Sequence, residues 1–139
     1  MARSFGSVNP ITNDVVFSDL GLSLTAHPIT KKLPVYKNAE AVKRAIKNVI
    51  LTSRFERPYE PLYGCNVYDQ LFELFDPIAE ANLKADIQEA IENYEPRAIV
   101  QEINVRANND GNELNVTVHF RVINQAEPTE LQVVIQRTR

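Results

Sequence analysis

The sequence predicts an α+β fold in which helices come first and an antiparallel meander of three or four strands packs on about three of them. Three observations carry this. Apolar residues recur at helical spacing in residues 42–50 and again in 83–94. From Leu114 to Val122 apolar and polar residues alternate without interruption, the period of a half-buried strand. Between these regions Tyr94–Glu95–Pro96–Arg97 separates one period from the other. Pro96 cannot donate a backbone hydrogen bond and pushes Glu95 away from helical geometry, so the long helix must stop at about Tyr94 or Glu95.

Residues 1–37 hold no steady period. Phe5 and Val8, then Val15, Val16 and Phe17, then Leu20, Leu22 and Leu24 form small apolar groups, while Pro10, Pro28 and Pro34 interrupt any long element. The leucines alternate and fit one short strand. Apolar groups this frequent suit an arm lying along its own domain or a neighbouring chain better than a solvated tail. The expected division is an extended arm at 1–37 and one α+β domain at 38–139.

Asn38 suits an N-cap, and Glu40 in the first turn suits the positive end of the helix dipole. Val42, Ala45, Ile46, Val49 and Ile50 give that helix one apolar face, with Lys43, Arg44 and Lys47 elsewhere on the cylinder. Pro58 and Pro61 hold the following segment extended, and Gly64 permits a tight turn. Phe55, Tyr59, Leu62 and Tyr63 are expected to pack over the helices. Asn66 can cap a short helix from Val67 to Phe75. Asp76 followed by Pro77 is a strong helix start. Leu83, Ile87, Ala90, Ile91 and Tyr94 form the buried stripe of the helix that follows.

Beyond the corner, Ile99, Ile103 and Val105 alternate, with Gln101 out of step. Asn108 to Gly111 signals a turn. Leu131, Val133 and Ile135 alternate with Glu130, Gln132 and Gln136. Pairing Val105 with Leu114 places Ile103 opposite Val116 and Ile99 opposite Phe120. Pairing Val122 with Leu131 brings the third strand's apolar residues to the same face. One apolar face is then covered by helices and the other meets water.

A chain of 139 residues is most simply one domain, with 44% hydrophobic and 24% charged residues as in ordinary globular proteins. A net charge of −3 gives no general attraction to nucleic acid. No apolar run near Met1 reads as a signal peptide, and no stretch approaches the about 20 apolar residues of a membrane span. The residues assign no catalytic, metal or cofactor-binding position. His27, His119 and Cys65 lack ligand spacing, and Cys65 lacks a local histidine to activate it. The many carboxylates, among them Asp69, Glu73, Asp76, Glu80, Asp86, Glu89 and Glu92, lie where solvated helix faces carry acids.

Two places invite a binding reading. A helix C-terminus carries partial negative charge, so Arg97 is well placed and Glu95 is not, by about 0.3–1 kcal/mol each. A Glu95–Arg97 pair that steadies the turn answers this, as does a partner elsewhere. In a three-strand meander both outer strands, the one after the corner and the last one, Leu131–Gln132–Val133–Val134–Ile135–Gln136, have one flank unpaired unless something covers it, and the residues do not choose between them. Glu130 guards the last strand's flank against pairing, or a strand from another chain completes it. The residues leave both questions open.

The run from Arg57 to Cys65 (RPYEPLYGC), then Leu71–Glu73 (LFE), Pro77 and Asn93–Arg97 (NYEPR), resembles the baseplate wedge proteins of contractile-tailed bacteriophages, the group that primes tail sheath assembly. Phe17–Leu20 (FSDL) is similar to the family's opening segment. The likeness spans roughly Phe17 to Gln136, and related subunits occur in type VI secretion baseplates. The resemblance implies a virion protein with no cofactor, whose partners are the tail sheath protein, other wedge subunits and the tail tube or hub. It implies no nucleic-acid or membrane partner. It makes Glu95, Pro96 and Arg97 wedge-contact candidates and residues 131–136 sheath strand-addition candidates, with a neighbouring chain's cation as Glu95's partner. On that view Arg97→Ala leaves the isolated fold largely intact. Members have been labelled lysozyme-like, which makes a peptidoglycan hydrolase the alternative; a regulator using the same fold is a third.

Overall fold

The computed structural model describes residues 17–21, 24–71, 76–108, 113–123, 125 and 127–136. The order is β1 (Ser18–Leu20), β2 (Val35–Lys37), α1 (Ala39–Leu51), α2 (Val67–Gln70), α3 (Pro77–Tyr94), β3 (Ala98–Asn108), β4 (Glu113–Val122) and β5 (Pro128–Gln136). β3, β4 and β5 form an antiparallel sheet with β4 in the middle, and β1 pairs with β2 in a separate antiparallel ribbon. The α+β class and the meander are as the sequence predicts.

The helices lie on one face of the sheet, α3 over the β3 side and α1 over the β5 side. Val42, Ile46, Val49 and Ile50 of α1 and Leu83, Ile87, Ala90 and Ile91 of α3 meet the inward rows of the strands, with Phe120 fully buried among them. Ala45 and Tyr94 are only half-buried. α3 spans the stretch that Asp76 and Pro96 frame: Asp76 Oδ1 accepts from the Ala79 amide at 2.6 Å, and the helix stops at Tyr94.

Asn38 holds the N-cap position of α1 but makes no side-chain cap. Its Oδ1 accepts from the Phe17 amide at 3.2 Å, and its own amide donates to the Phe17 carbonyl at 2.8 Å. It fastens the amino-terminal ribbon to the domain instead. The strand expected over Leu20–Leu24 is Ser18–Leu20; Leu24 has a φ of 48° and lies outside it. Phe5, Val8, Val15, Val16, Leu22, Phe72–Phe75 and residues 109–111 of the expected turn lie outside the described residues.

The pairing keeps the expected faces and changes the registers. Val105 faces Val116 and Ile103 faces Val118, two residues from the expected match. Leu131 faces Val118 and Val133 faces Val116, a shift of four from pairing Val122 with Leu131. Both shifts are even, so every inward residue from Ile103 onward stays inward. The first turn moves one residue along the chain, with Asn108 opposite Glu113, and the second connection is shorter than expected, with Arg121 opposite Pro128. Ile99 is the exception. A bulge at Gln101 reverses the alternation before it, so Val100 stands opposite Phe120 while Ile99 is 43% exposed.

The loop from Arg54 to Asn66 also differs. Of the four residues expected to pack over the helices, only Tyr63 does so, tilted against Tyr94 with ring centroids 4.9 Å apart. Phe55, Tyr59 and Leu62 face solvent, Tyr59 at 98% exposure. The loop is pinned at its base and not at its tip. The Cys65 amide donates to the Thr52 carbonyl, Phe55 to the Pro61 carbonyl, and Asp86 of α3 takes both Arg54 and the Asn66 amide. Gly64 is required here: its φ is 97°, and a Cβ would lie 2.1 Å from the Thr52 carbonyl oxygen.

Candidate functional site: a closed corner and an open strand edge

The Glu95 carboxylate is the buried charge among the described residues, its residue 3% exposed. Arg97, two residues on, turns its guanidinium back to grip it: Nε donates to Oε1 at 2.5 Å and Nη2 donates to Oε2 at 2.6 Å. This fork-to-fork geometry satisfies both oxygens with charge-assisted bonds. The same bonds, ahead of the opposing effect of burial, hold Arg97's pKa above its ordinary value. The corner's backbone is equally committed. The Glu95 amide donates to Ile91, the Ala98 amide to Glu95, and the Ile123 amide to the Arg97 carbonyl. Arg97 also lies 5.4 Å from the Phe17 ring centroid, drawing the amino-terminal ribbon to the same point. The corner therefore joins α3, β3, the end of β4 and the ribbon.

The cation that Glu95 needs is thus in its own chain. That changes the expectation for Arg97→Ala. Removing Arg97 leaves a buried carboxylate with no partner, an arrangement that costs stability. Outward from the corner, Pro96 is exposed and about a third of the Arg97 side chain, 34%, still meets solvent.

The second place is β5. Its pairing with β4 runs unbroken from Glu113↔Gln136 to Arg121↔Pro128. Leu131, Val133 and Ile135 point into the core, while Gln132, Val134 and Gln136 are exposed, Val134 at 49%. No described strand pairs with its other flank. β3 is the other outer strand, and the Gln101 bulge breaks its line. A bulge blunts a strand edge against pairing. β5 therefore offers the regular edge. Beside it runs a groove of about 380 Å³ between α1 and the strand, lined by Glu40, Lys43, Arg44, Lys47, Asn48, Leu131 and Gln132.

The remaining chemistry-bearing side chains are committed to structure. Cys65 is fully buried, its Sγ lies 3.4 Å from the Ile50 carbonyl, and burial pushes its pKa up to about 12. A thiol held neutral in this way is no nucleophile at physiological pH. His27 Nδ1 accepts the amides of Ile29 and Thr30 in a turn. Glu80 pairs with Lys84, and Glu92 with Gln88, along the outer face of α3. No group of three potential metal ligands occurs among the described residues.

The family profile of baseplate wedge protein gp25 matches residues 37–127, from the end of β2 to the turn after β4. This chain belongs to the baseplate wedge protein gp25 family. Baseplate wedge protein gp25 of enterobacteria phage T4 is 33% identical to it over 96 residues, 69% of this chain and 72% of the relative. Two solved structures share the fold. A Geobacter sulfurreducens protein carrying the name tail lysozyme superposes with a TM-score of 0.62 at 20% identity, over 70% of this chain and 89% of its own. A chain of the anti-feeding prophage baseplate superposes with a TM-score of 0.60 at 19% identity, over 85% and 83% of the two chains. Membership makes this wedge protein a structural component of a phage tail baseplate and so of the virion. No described helix is long and apolar enough to cross a membrane.

The profile spans the corner and stops before Pro128, where β5 begins. Sequence reasoning named both places. It missed the groove, because α1's basic residues read as a solvated face until β5 is laid beside them.

Proposed function

We propose that this wedge protein templates the first ring of tail sheath by lending it the unpaired flank of β5. An extended segment of the sheath protein pairs there with residues 131–136, so that main-chain hydrogen bonds supply affinity and alternate side chains fix register. Glu95, Pro96 and Arg97 meet neighbouring wedge subunits. In this reading the Glu95–Arg97 fork shapes the corner, while Pro96 and the exposed part of Arg97 make the contact. The amino-terminal arm adds contacts within the wedge, and the tube or hub lies on its inner side. The protein works without catalysis.

One observation carries the choice of β5: it is a regular outer strand with an open groove beside it, whereas β3 is broken by a bulge. A peptidoglycan hydrolase has no comparable support. The one carboxylate buried among the described residues is locked in an arginine fork, a poor setting for an acid that must pass protons.

The test places proline at each β5 position from Gln132 to Ile135. Substitutions that remove an amide aimed at the free flank are expected to preserve the circular dichroism spectrum. They are also expected to stop sheath growth on otherwise complete baseplates. Normal sheathed tails from a folded flank-facing variant would overturn the proposal.

A further inference from the structure

The groove beside β5 is positively charged in a chain of net charge −3. Lys43, Arg44 and Lys47 line it, against the single acid Glu40. Arg44 is engaged, its guanidinium 3.4 Å from the centroid of the Tyr36 ring. Lys43 and Lys47 make no ion pair with any described residue; the pairs formed are Arg54–Asp86, Arg57–Glu60, Lys84–Glu80 and Arg97–Glu95. On the strand side the groove presents Leu131, which is buried, and Gln132, which is exposed and uncharged. Two ammonium groups without an ion-pair partner among the described residues thus line the groove beside β5, against the one acid Glu40.

Their spacing suits a strand. Lys43 and Lys47 are one helical turn apart, about 6 Å along the axis. Same-face residues of an extended segment recur every second position, about 6.6 Å. A segment lying along β5 turns one row of side chains toward α1 and the other toward solvent. The α1-facing row passes the groove that Lys43 and Lys47 line, and the two repeats are similar in length. The lysines' aliphatic stems cover apolar surface while their charged ends stay at the rim.

We infer that the segment completing the sheet at β5 is acidic on one face, with Asp or Glu at two positions two residues apart that pair with Lys43 and Lys47. This rests on the proposed strand addition and names the chemistry of the incoming strand. Backbone pairing holds any extended chain; the lysines reject a basic row and fix which face turns inward.

A displayed library of ten-residue segments tests it, with alternate positions kept β-branched and the intervening ones randomised, panned against the full chain. Selected peptides are then measured by anisotropy at low and moderate salt and by amide exchange across β5. The expected result is carboxylates enriched at two same-parity positions, with β5 amides protected by the bound peptide. Affinity should fall at least tenfold with added salt or in K43E/K47E, and panning against K43E/K47E should enrich Lys or Arg at the same parity. Peptides that protect β5 without charge preference would overturn the acidic-face inference and leave strand addition standing. Selected peptides that never protect β5 would overturn both. Circular dichroism of K43E/K47E guards against misfolding, and K43Q/K47Q repeats the measurement without reversed charge.

Discussion

The Glu95–Arg97 corner and the flank of β5 are opposites. At the corner the chain itself answers both carboxylate oxygens, the Glu95 and Ala98 amides, and the Arg97 carbonyl. At β5 one row of backbone groups and two neighbouring lysines have no described partner in the chain. Under the proposed function the unmet bonding capacity is what a partner takes up, while the met capacity holds the shape. The acid that looks misplaced in the sequence belongs to the second kind.

The largest effect that sharpens this contrast is at the corner. Arg97→Ala strands a buried carboxylate and is expected to cost about 3 kcal/mol, the lower end for a broken buried pair because Arg97 is partly exposed. Urea denaturation reads the loss. Glu95→Ala should cost less, because the arginine left behind can turn to water. The double variant should be more stable than Arg97→Ala alone, since it strands no charge. An Arg97→Ala variant as stable as the parent would place the corner with the open surfaces.

Next comes alternation in amide exchange along β5. Amides aimed at β4 should exchange far more slowly than those aimed at the flank, while β4, paired on both sides, is slow throughout. Uniform protection of β5 in the isolated protein would mean that the flank is already covered.

Smaller is the contribution of Cys65, on the closed side. Its pKa rises from an ordinary 9.0 to about 12 in the fold, so the unfolded chain ionises first. The stability that goes with the neutral buried thiol is whole below pH 9 and fades as pH climbs from there toward 12. Comparing the alkaline limbs of the parent and Cys65→Ala unfolding curves reads it. The smallest effect belongs to the exposed loop. Tyr59→Ala should shift stability by no more than about 0.5 kcal/mol, because the ring touches almost nothing. A larger loss would show that the loop tip is part of the fold.

Much of this could be read in the residues. The 3.6-residue and two-residue periods placed α1, α3 and the three long strands, because a side chain's face follows from local backbone geometry. Asp76–Pro77 and Pro96 fixed both ends of α3 through bonds that a proline cannot make. The family resemblance rested on motifs that bracket those same ends. Gln101 was out of step in the alternation, but the bulge that turns Ile99 outward was not read from it.

Other features depended on what lies opposite. Strand parity is local, but absolute register is a property of two strands and the connection between them, so the pairings shifted by two and by four. Asn38 reads as a cap until Phe17 competes for its side chain. The aromatic loop reads as buried until its base is seen to be pinned and its tip free. The local order of residues settled which stretches could form a helix, a strand or a stop. Only the folded chain decided which charges would find each other: whether Glu95 met Arg97, or Lys43 and Lys47 an acid, depends on distances that no spacing along the sequence encodes.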